Sequence, residues 1–321
     1  MGARISKRDG CLLFAGMAAA YGSVGLLGGG ATGSLGLAPV ISAAPDGRVG
    51  GTANGARHDV PPPLSIRESL GFIEEPDEHW RRRKAIHSAQ MKLQARNRHD
   101  CNNCSGHSFW QLHYEPSFSC SFERRVGPAG DGGKWVCDPH KIMEATNAGQ
   151  PCLVYSIGSN GEFGFEKAVH ADVSMSCEVH TFDIMRWQDY AEPLQPPLEG
   201  PPDYVSYHVR NVGETPMSFL YREMGHMGRT IDILKIDCEG CELQTVRGWF
   251  SEGVSIRQIL VELHGPGGHA EQIHEFFEFL FGLGFVVFHK EPNLRSNDFV
   301  AGGNYIEYSL LRLSPEFSAM T

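Results

Sequence analysis

The chain has 321 residues, 41% hydrophobic and 21% charged, which is room for one or two domains with a sizeable core. A formal net charge of −10 argues against a general nucleic-acid binder, which carries a basic excess. Nine cysteines, one of them at position 11, leave an even set beyond the leading segment, and an even set behind a targeting leader suits disulfides of unspecified connectivity.

Residues 1–27 read as a targeting or membrane-anchor segment. Arg4, Lys7 and Arg8 precede an apolar, small-residue run from Cys11 to Leu27, at the short edge of a membrane span. Three addresses fit: a signal-anchor transmembrane helix with its basic end in the cytosol, a signal peptide cleaved near Ser42-Ala43-Ala44, and an organellar transit peptide. The expected localisation is thus the membrane or secretory pathway, with an organelle as the alternative. Residues 28–63 are rich in Gly, Ala and Pro, lack periodicity, end in Pro61-Pro62-Pro63 and read as a disordered linker.

Residues 64–150 form a helical, Cys-containing extension. The charged stretch after Pro76 predicts an exposed helix running to Asp100, with Arg81, Arg82, Arg83 and Lys84 on a solvated face. Cys101 and Cys104 make a CxxC with His99, His107 and His113 nearby. A disulfide, two thiols, or zinc completed by Cys120 and Cys137 all fit it. The second CxxC, Cys238–Cys241, is too distant for a zinc ribbon, and no metal site is assigned. Trp135 to Pro139 predicts a short strand entering a helix over 141–147, with Asp138 as cap and Pro139 at its first position.

Residues 151–321 carry the core. Cys152 to Ile157 is a buried-strand candidate, followed by the turn Gly158-Ser159-Asn160-Gly161 and a helix start. Glycines at 158, 161 and 164 let backbone turn sharply and approach a ligand, though the spacing is not GxGxxG. The GxGxxG at Gly28, Gly30 and Gly33 lies in the leader and linker, with no strand-turn-helix around it, which weighs against a nicotinamide dehydrogenase. Glu178 to Asp183 predicts a second strand. Asp183 lies about twenty residues past the turn, where an acid holds ribose hydroxyls or caps the helix over 184–190.

Further strands are expected over 204–210, 233–237, 255–264, 285–289 and 305–313, with helices over 218–227, 242–249 and 269–283. The segment IDILKIDCEGCE places Asp237, Glu239 and Glu242 at the end of a central strand, where carboxylates are costly without a purpose or a helix to cap. His264 ends the next strand and is a candidate general base or a hydrogen-bonded structural histidine. The loop over 290–304 holds Glu291, Asn293 and Arg295 and is a candidate lid.

The segments GDGGKWVCDP (130–139), VYSIGSNGEFGFE (154–166), VHTFD (179–183), DILKIDCEGCE (232–242), QILVELH (258–264) and EYSLLRL (307–313) together resemble the class I S-adenosylmethionine-dependent methyltransferases. They are most similar to the methyltransferase-like (METTL) group, and KIDCEG is also similar to the FkbM-type enzymes that methylate sugar or related hydroxyls. The resemblance spans roughly 107–313. It implies an α/β, Rossmann-like seven-stranded methyltransferase sheet with helices on both faces, and S-adenosyl-L-methionine as cofactor. Gly158, Ser159, Asn160 and Gly161 would line the methionine and ribose side, Asp183 the ribose hydroxyls, and Asp237 the region near the methyl group. The base would be Asp237, Glu239 or His264, and the acceptor a hydroxyl of a glycan or small molecule. GSNG departs from the family's usual GxGxG, so the implied cofactor contacts are those of a variant loop. The alternative is a binding protein that keeps the fold without the chemistry.

Overall fold

The structure, a computed structural model, describes residues 66–67, 75–100, 106–190, 198–265, 269–293 and 305–313. The leader, the linker with its GxGxxG, the Cys101–Cys104 motif and Arg295 lie outside the described residues. Among the described residues no helix is long and apolar enough to cross a membrane.

Two short strands, β1 (Ile66–Arg67) and β2 (Glu75–Pro76), pair antiparallel ahead of the long helix α1 (Asp77–Asp100) and the short α2 (Gly106–Leu112). A hairpin follows, β3 (Glu123–Val126) with β4 (Lys134–Cys137), and then α3 (Pro139–Asn147). The core begins at β5 (Cys152–Ile157), α4 (Gly164–Ala168) and β6 (Cys177–Asp183). It continues through β7 (Val205–Val209), α5 (Met217–Glu223), β8 (Thr230–Ile236), α6 (Glu242–Thr245) and β9 (Ser255–His264). The last elements are α7 (Ala270–Gly282), β10 (Phe285–Pro292) and β11 (Tyr305–Arg312).

Seven strands form one sheet in the order β10-β11-β9-β8-β5-β6-β7. Strands β5 to β9 run parallel, and β11 is antiparallel to both β9 and β10. Renumbered within the sheet, the order is 3-2-1-4-5-7-6. The standard dinucleotide order ends at 4-5-6, so the difference is an antiparallel strand slipped in beside the fifth. All six residues of β5, and six of the seven in β8, are buried. Such unbroken burial arises because a parallel sheet is covered on both faces.

On one face Leu153, Tyr155 and Ile157 pack with Leu220 of α5 and Phe276 and Phe277 of α7. On the other, Val154, Val179 and Ile233 pack with Trp80, Phe118, Val126, Val136 and Ile142. The extension is therefore one wall of the sheet's own core. The expected amphipathic helix is α7, with Ile273, Phe276, Phe277 and Leu280 buried along one side.

Three disulfides are described. Cys120–Cys137 ties β4 to the turn ahead of β3, Cys152–Cys177 joins facing residues at the starts of β5 and β6, and Cys238–Cys241 spans the turn after β8. Cys120 and Cys137, expected as possible zinc ligands, are bonded to each other and have no thiolate to offer.

Two helix boundaries differ from the sequence reading. Asp138 does not cap α3: its φ is 43° and it makes no side-chain cap bond, while its Oδ1 accepts the Phe122 N–H at 2.5 Å. A buried aspartate satisfies the nearest donor, and here that is a loop amide rather than the helix end. Pro139 does sit in the first turn. The helix expected over 184–190 is only a short 3₁₀ turn, Trp187–Tyr190.

Candidate active site

The strands on either side of β5 continue in opposite directions, which opens a crevice outside the carboxyl ends of β5 and β8. Two turns meet there. Gly158 has φ 77°, and a Cβ on it would lie 1.7 Å from the Asp237 carbonyl oxygen, so only glycine fits. The Gly158 N–H bonds Phe182 O at 3.0 Å, and the Asp237 N–H bonds Ile157 O at 3.0 Å. Lys235, almost fully buried, reaches across to donate to Gly158 O at 2.6 Å. Gly161 is required differently: its Cβ position faces Leu198, Trp187 and Tyr190. Both glycines are thus demanded by the protein's own backbone.

Asp183 organises the glycine turn. Its Oδ2 accepts from the Ser159 N–H at 2.8 Å, the Ser159 hydroxyl at 2.8 Å and the Asn160 N–H at 3.2 Å. Its Oδ1 accepts from the Ile184 N–H at 2.8 Å and from the Tyr190 hydroxyl. Five donors saturate a carboxylate with about four lone-pair sites. The residues predicted to line a cofactor, Gly158 through Gly161 and Asp183, are therefore brought together, with Tyr190 as an unforeseen member. Burial, and then the Asp183 carboxylate, push the Tyr190 phenol well up.

The turn after β8 is held by Glu242 rather than by Asp237 or Glu239. Glu242 accepts from the Cys238 N–H at 2.7 Å and the Gly240 N–H at 3.0 Å, and the Cys238–Cys241 disulfide closes the turn. Glu239 is 79% exposed and sits at φ 57°, with its carboxylate 3.3 Å from His264 Nε2. Burial lowers the His264 pKa, but hydrogen bonds to Glu239 and Glu242 and the charges of Glu242 and Glu262 outweigh it and raise it to about 10. That direction favours the protonated ring, paired through Nε2 with Glu239.

Beneath the turn lies a cluster whose central residue sequence reasoning missed. Lys134 of β4, its side chain 1% exposed, is ion-paired to Glu307 of β11, with Glu262 of β9 at 3.7 Å and Asp237 at 3.8 Å. Burial lowers its pKa, but the three carboxylates win and raise it. Asn293 donates to Glu262 at 2.9 Å. Glu307 is pushed well above the carboxylate range, by burial first, while Glu262 is lowered. Asp237 is raised to about 6, chiefly by burial, opposed by Lys134 and reinforced by Glu262. Donor atoms of Asp237, Glu262 and His264 all lie within 4.8 Å of one another, and the Lys134 ammonium stands beside the two carboxylates. The available signal was a lone lysine opening the short apolar strand KWVC, but nothing local says which carboxylates it meets.

Of the loop expected as a lid over 290–304, residues 294–304 lie outside the described residues; Glu291 and Asn293 are held by partners. Glu291 accepts from Arg125 Nε at 3.0 Å and Trp135 Nε1 at 2.8 Å. Beside the Asp237 turn is a cavity of about 280 Å³, lined by Gly240, Leu243, Gln244, His264, Gln272 and Tyr305 among others. Its lining sets an imidazole, two side-chain amides and an aromatic ring into a largely apolar wall.

Among curated proteins, none matches the chain. Solved structures similar to it include human methyltransferase-like protein 13 with S-adenosylhomocysteine, at 15% identity, covering 56% of this chain and 84% of that one, TM-score 0.31. TrmK of M. capricolum with S-adenosylhomocysteine has 9% identity and a TM-score of 0.31; 50% of this chain is covered, and only 62% of that one. A fibrillarin/Nop5p complex has 8% identity, with 61% and 92% covered and a TM-score of 0.35. The family model described as Methyltransferase domain matches residues 63–307. That match takes in the hairpin carrying Lys134, both turns of the crevice and nearly all of the sheet, and the chain belongs to the Methyltransferase domain family.

Proposed function

We propose that the chain is an S-adenosyl-L-methionine-dependent methyltransferase acting on a hydroxyl of a glycan or small molecule, with Asp237 as general base. The observation that carries this reading is the Asp237 carboxylate at the switch point, where the Asp237 N–H bonds Ile157 O and the two turns of the crevice meet; burial raises its pKa to about 6. A base that ionises just below neutrality is suited to accept a hydroxyl proton. The cofactor would supply an electrophilic methyl group on a sulfonium. Gly158 and Ser159 would line it, and Asp183 would take its ribose hydroxyls in place of Tyr190. Lys134 would hold Asp237 in position, and His264, as a cation, would anchor Glu239 and Glu242. The likeness of KIDCEG to FkbM-type enzymes supports a hydroxyl acceptor, and the METTL-like segments support the donor.

A second reading, a binding protein that keeps the fold without chemistry, is favoured by one observation. Tyr190 already occupies Asp183, and Trp187, Tyr190 and Leu198 close on Gly161. Calorimetry on the full chain separates the readings. S-adenosylmethionine is expected to bind and nicotinamide dinucleotide not to, with Asp183→Ala weakening the first. Absence of S-adenosylmethionine binding removes the enzymatic reading.

A further inference from the structure

At the other end of the sheet a second polar cluster plays no part in the proposed chemistry. Glu178 and His180 lie in the first half of β6, and His226 lies in the loop between α5 and β8. His180 pairs in register with Tyr155 of β5, so its side chain shares a face with the Tyr155 ring. That face should be apolar, yet two imidazoles are buried on it, with side chains 8% and 3% exposed. Both rings turn Nε2 toward one atom, Glu178 Oε1, at 2.9 Å from His180 and 3.0 Å from His226.

Each ring is also gripped from behind. His226 Nδ1 is 2.7 Å from the Tyr155 hydroxyl, and His180 Nδ1 is 2.9 Å from His208 Nε2. Arg229 holds the other Glu178 oxygen at 2.6 Å, which leaves Oε1 to face the rings. The three facing atoms lie within 4.8 Å of one another. Histidines whose second nitrogen is fixed by a partner, converging with one carboxylate oxygen, form the donor arrangement of a transition-metal site.

We propose that Glu178, His180 and His226 bind a divalent transition-metal ion, with zinc the ion suited to two imidazoles and a carboxylate. Tetrahedral zinc, with bonds of about 2.0–2.1 Å, sets its donors ~3.4 Å apart, so the present contacts open by about 0.5 Å. The proton balance closes without outside acids. His180, His226 and His208 each move one proton from Nε2 to Nδ1; His226 then donates to the Tyr155 oxygen, and His180 donates to the freed Nε2 of His208. Glu178, 45% exposed at its side chain, leaves the site open to water for entry and for the fourth position. The carboxyl-end cluster contrasts with this one, because an ammonium already stands beside its carboxylates.

The test titrates Zn²⁺ into chelator-stripped, oxidised full-length protein by calorimetry, with Co²⁺ absorption as a second readout. One equivalent is expected, with the visible bands of four-coordinate cobalt. Glu178→Gln and His226→Gln should each weaken binding at least ~100-fold. His208→Gln, which removes only the partner behind His180, should weaken it about 10–100-fold. Circular dichroism of the metal-stripped variants controls for folding, and the cobalt spectrum of the unaltered chain stands if a variant fails to fold. Absence of zinc binding, or binding undiminished in folded Glu178→Gln and His208→Gln, overturns the proposal and leaves a hydrogen-bonded network alone.

Discussion

The two ends of the central sheet both bury polar groups, by opposite means. At the carboxyl end, Asp237, Glu262 and Glu307 crowd around one ammonium, and the balance shows in the pKa values. Asp237 rises to about 6 and His264 to about 10. At the amino end one carboxylate is shared by two imidazoles and Arg229. Burial raises the Glu178 pKa, but hydrogen bonds from His180, Arg229 and His226 override it and take it to about 2. Burial, before any charge, lowers His226 and His208. The first end is a set of like charges around a single buried cation. The second is one carboxylate oxygen met by two imidazoles, with Arg229 on the other oxygen. Excess carboxylate shifts groups toward function only where burial stops water from screening it.

The largest effect expected at the carboxyl end is on catalysis. Asp237→Asn should lower methyl transfer by about 10²–10⁴-fold, the usual worth of a general base. In the unaltered enzyme the base is the ionised form, so activity should climb as pH rises through about 6; a pH–rate profile lacking that limb separates Asp237 from the chemistry. Lys134→Met should cost ~3–5 kcal/mol in urea unfolding at neutral pH, because it leaves buried carboxylates uncompensated. The loss should shrink in acid, where those carboxylates take up protons. An equal loss at both pH values would show that the lysine matters for packing instead.

His264 tests the same imbalance through stability. Its folded pKa, about 10, is above the ordinary 6.5, so its contribution is fully present below pH ~6.5 and is lost as pH rises through 10. Across that window the native chain should lose a few kcal/mol that His264→Gln does not lose. Tyr190→Phe should tighten S-adenosylmethionine binding by about tenfold, since one charge-assisted hydrogen bond need no longer be broken at Asp183. Unchanged affinity would mean that the ribose does not displace the phenol. The smallest effect belongs to the amino end: Glu178→Gln should cost under ~1 kcal/mol in the metal-stripped chain, because its ion pair with Arg229 is partly exposed.

Much of this fold was legible residue by residue. The runs LVYSI and ILKI mark buried parallel strands, the turn residues sit at their ends, and α7 shows its stripe of Ile273, Phe276, Phe277 and Leu280. Asp183 was found by its distance from the glycine turn, although five donors from the protein itself now meet it. Less legible was anything decided by residues far apart. Lys134 and Glu307 are separated by most of the core sequence, and His180, His208 and His226 follow no spacing that a motif describes. Asp138 and Asp183 look like helix caps because capping is local, and both carboxylates turned to other amides within reach.

The sequence by itself determined the strand order's ingredients, the crevice glycines and the carboxylate at the end of β8, because periodicity and turn chemistry act over a few residues. Only the tertiary structure decided their states. It set an ammonium among three carboxylates, brought His264 beside Glu239, and turned two imidazoles onto one oxygen. Protonation depends on burial and on the charges within a few ångströms, and those neighbours are assembled by the sheet rather than by the chain.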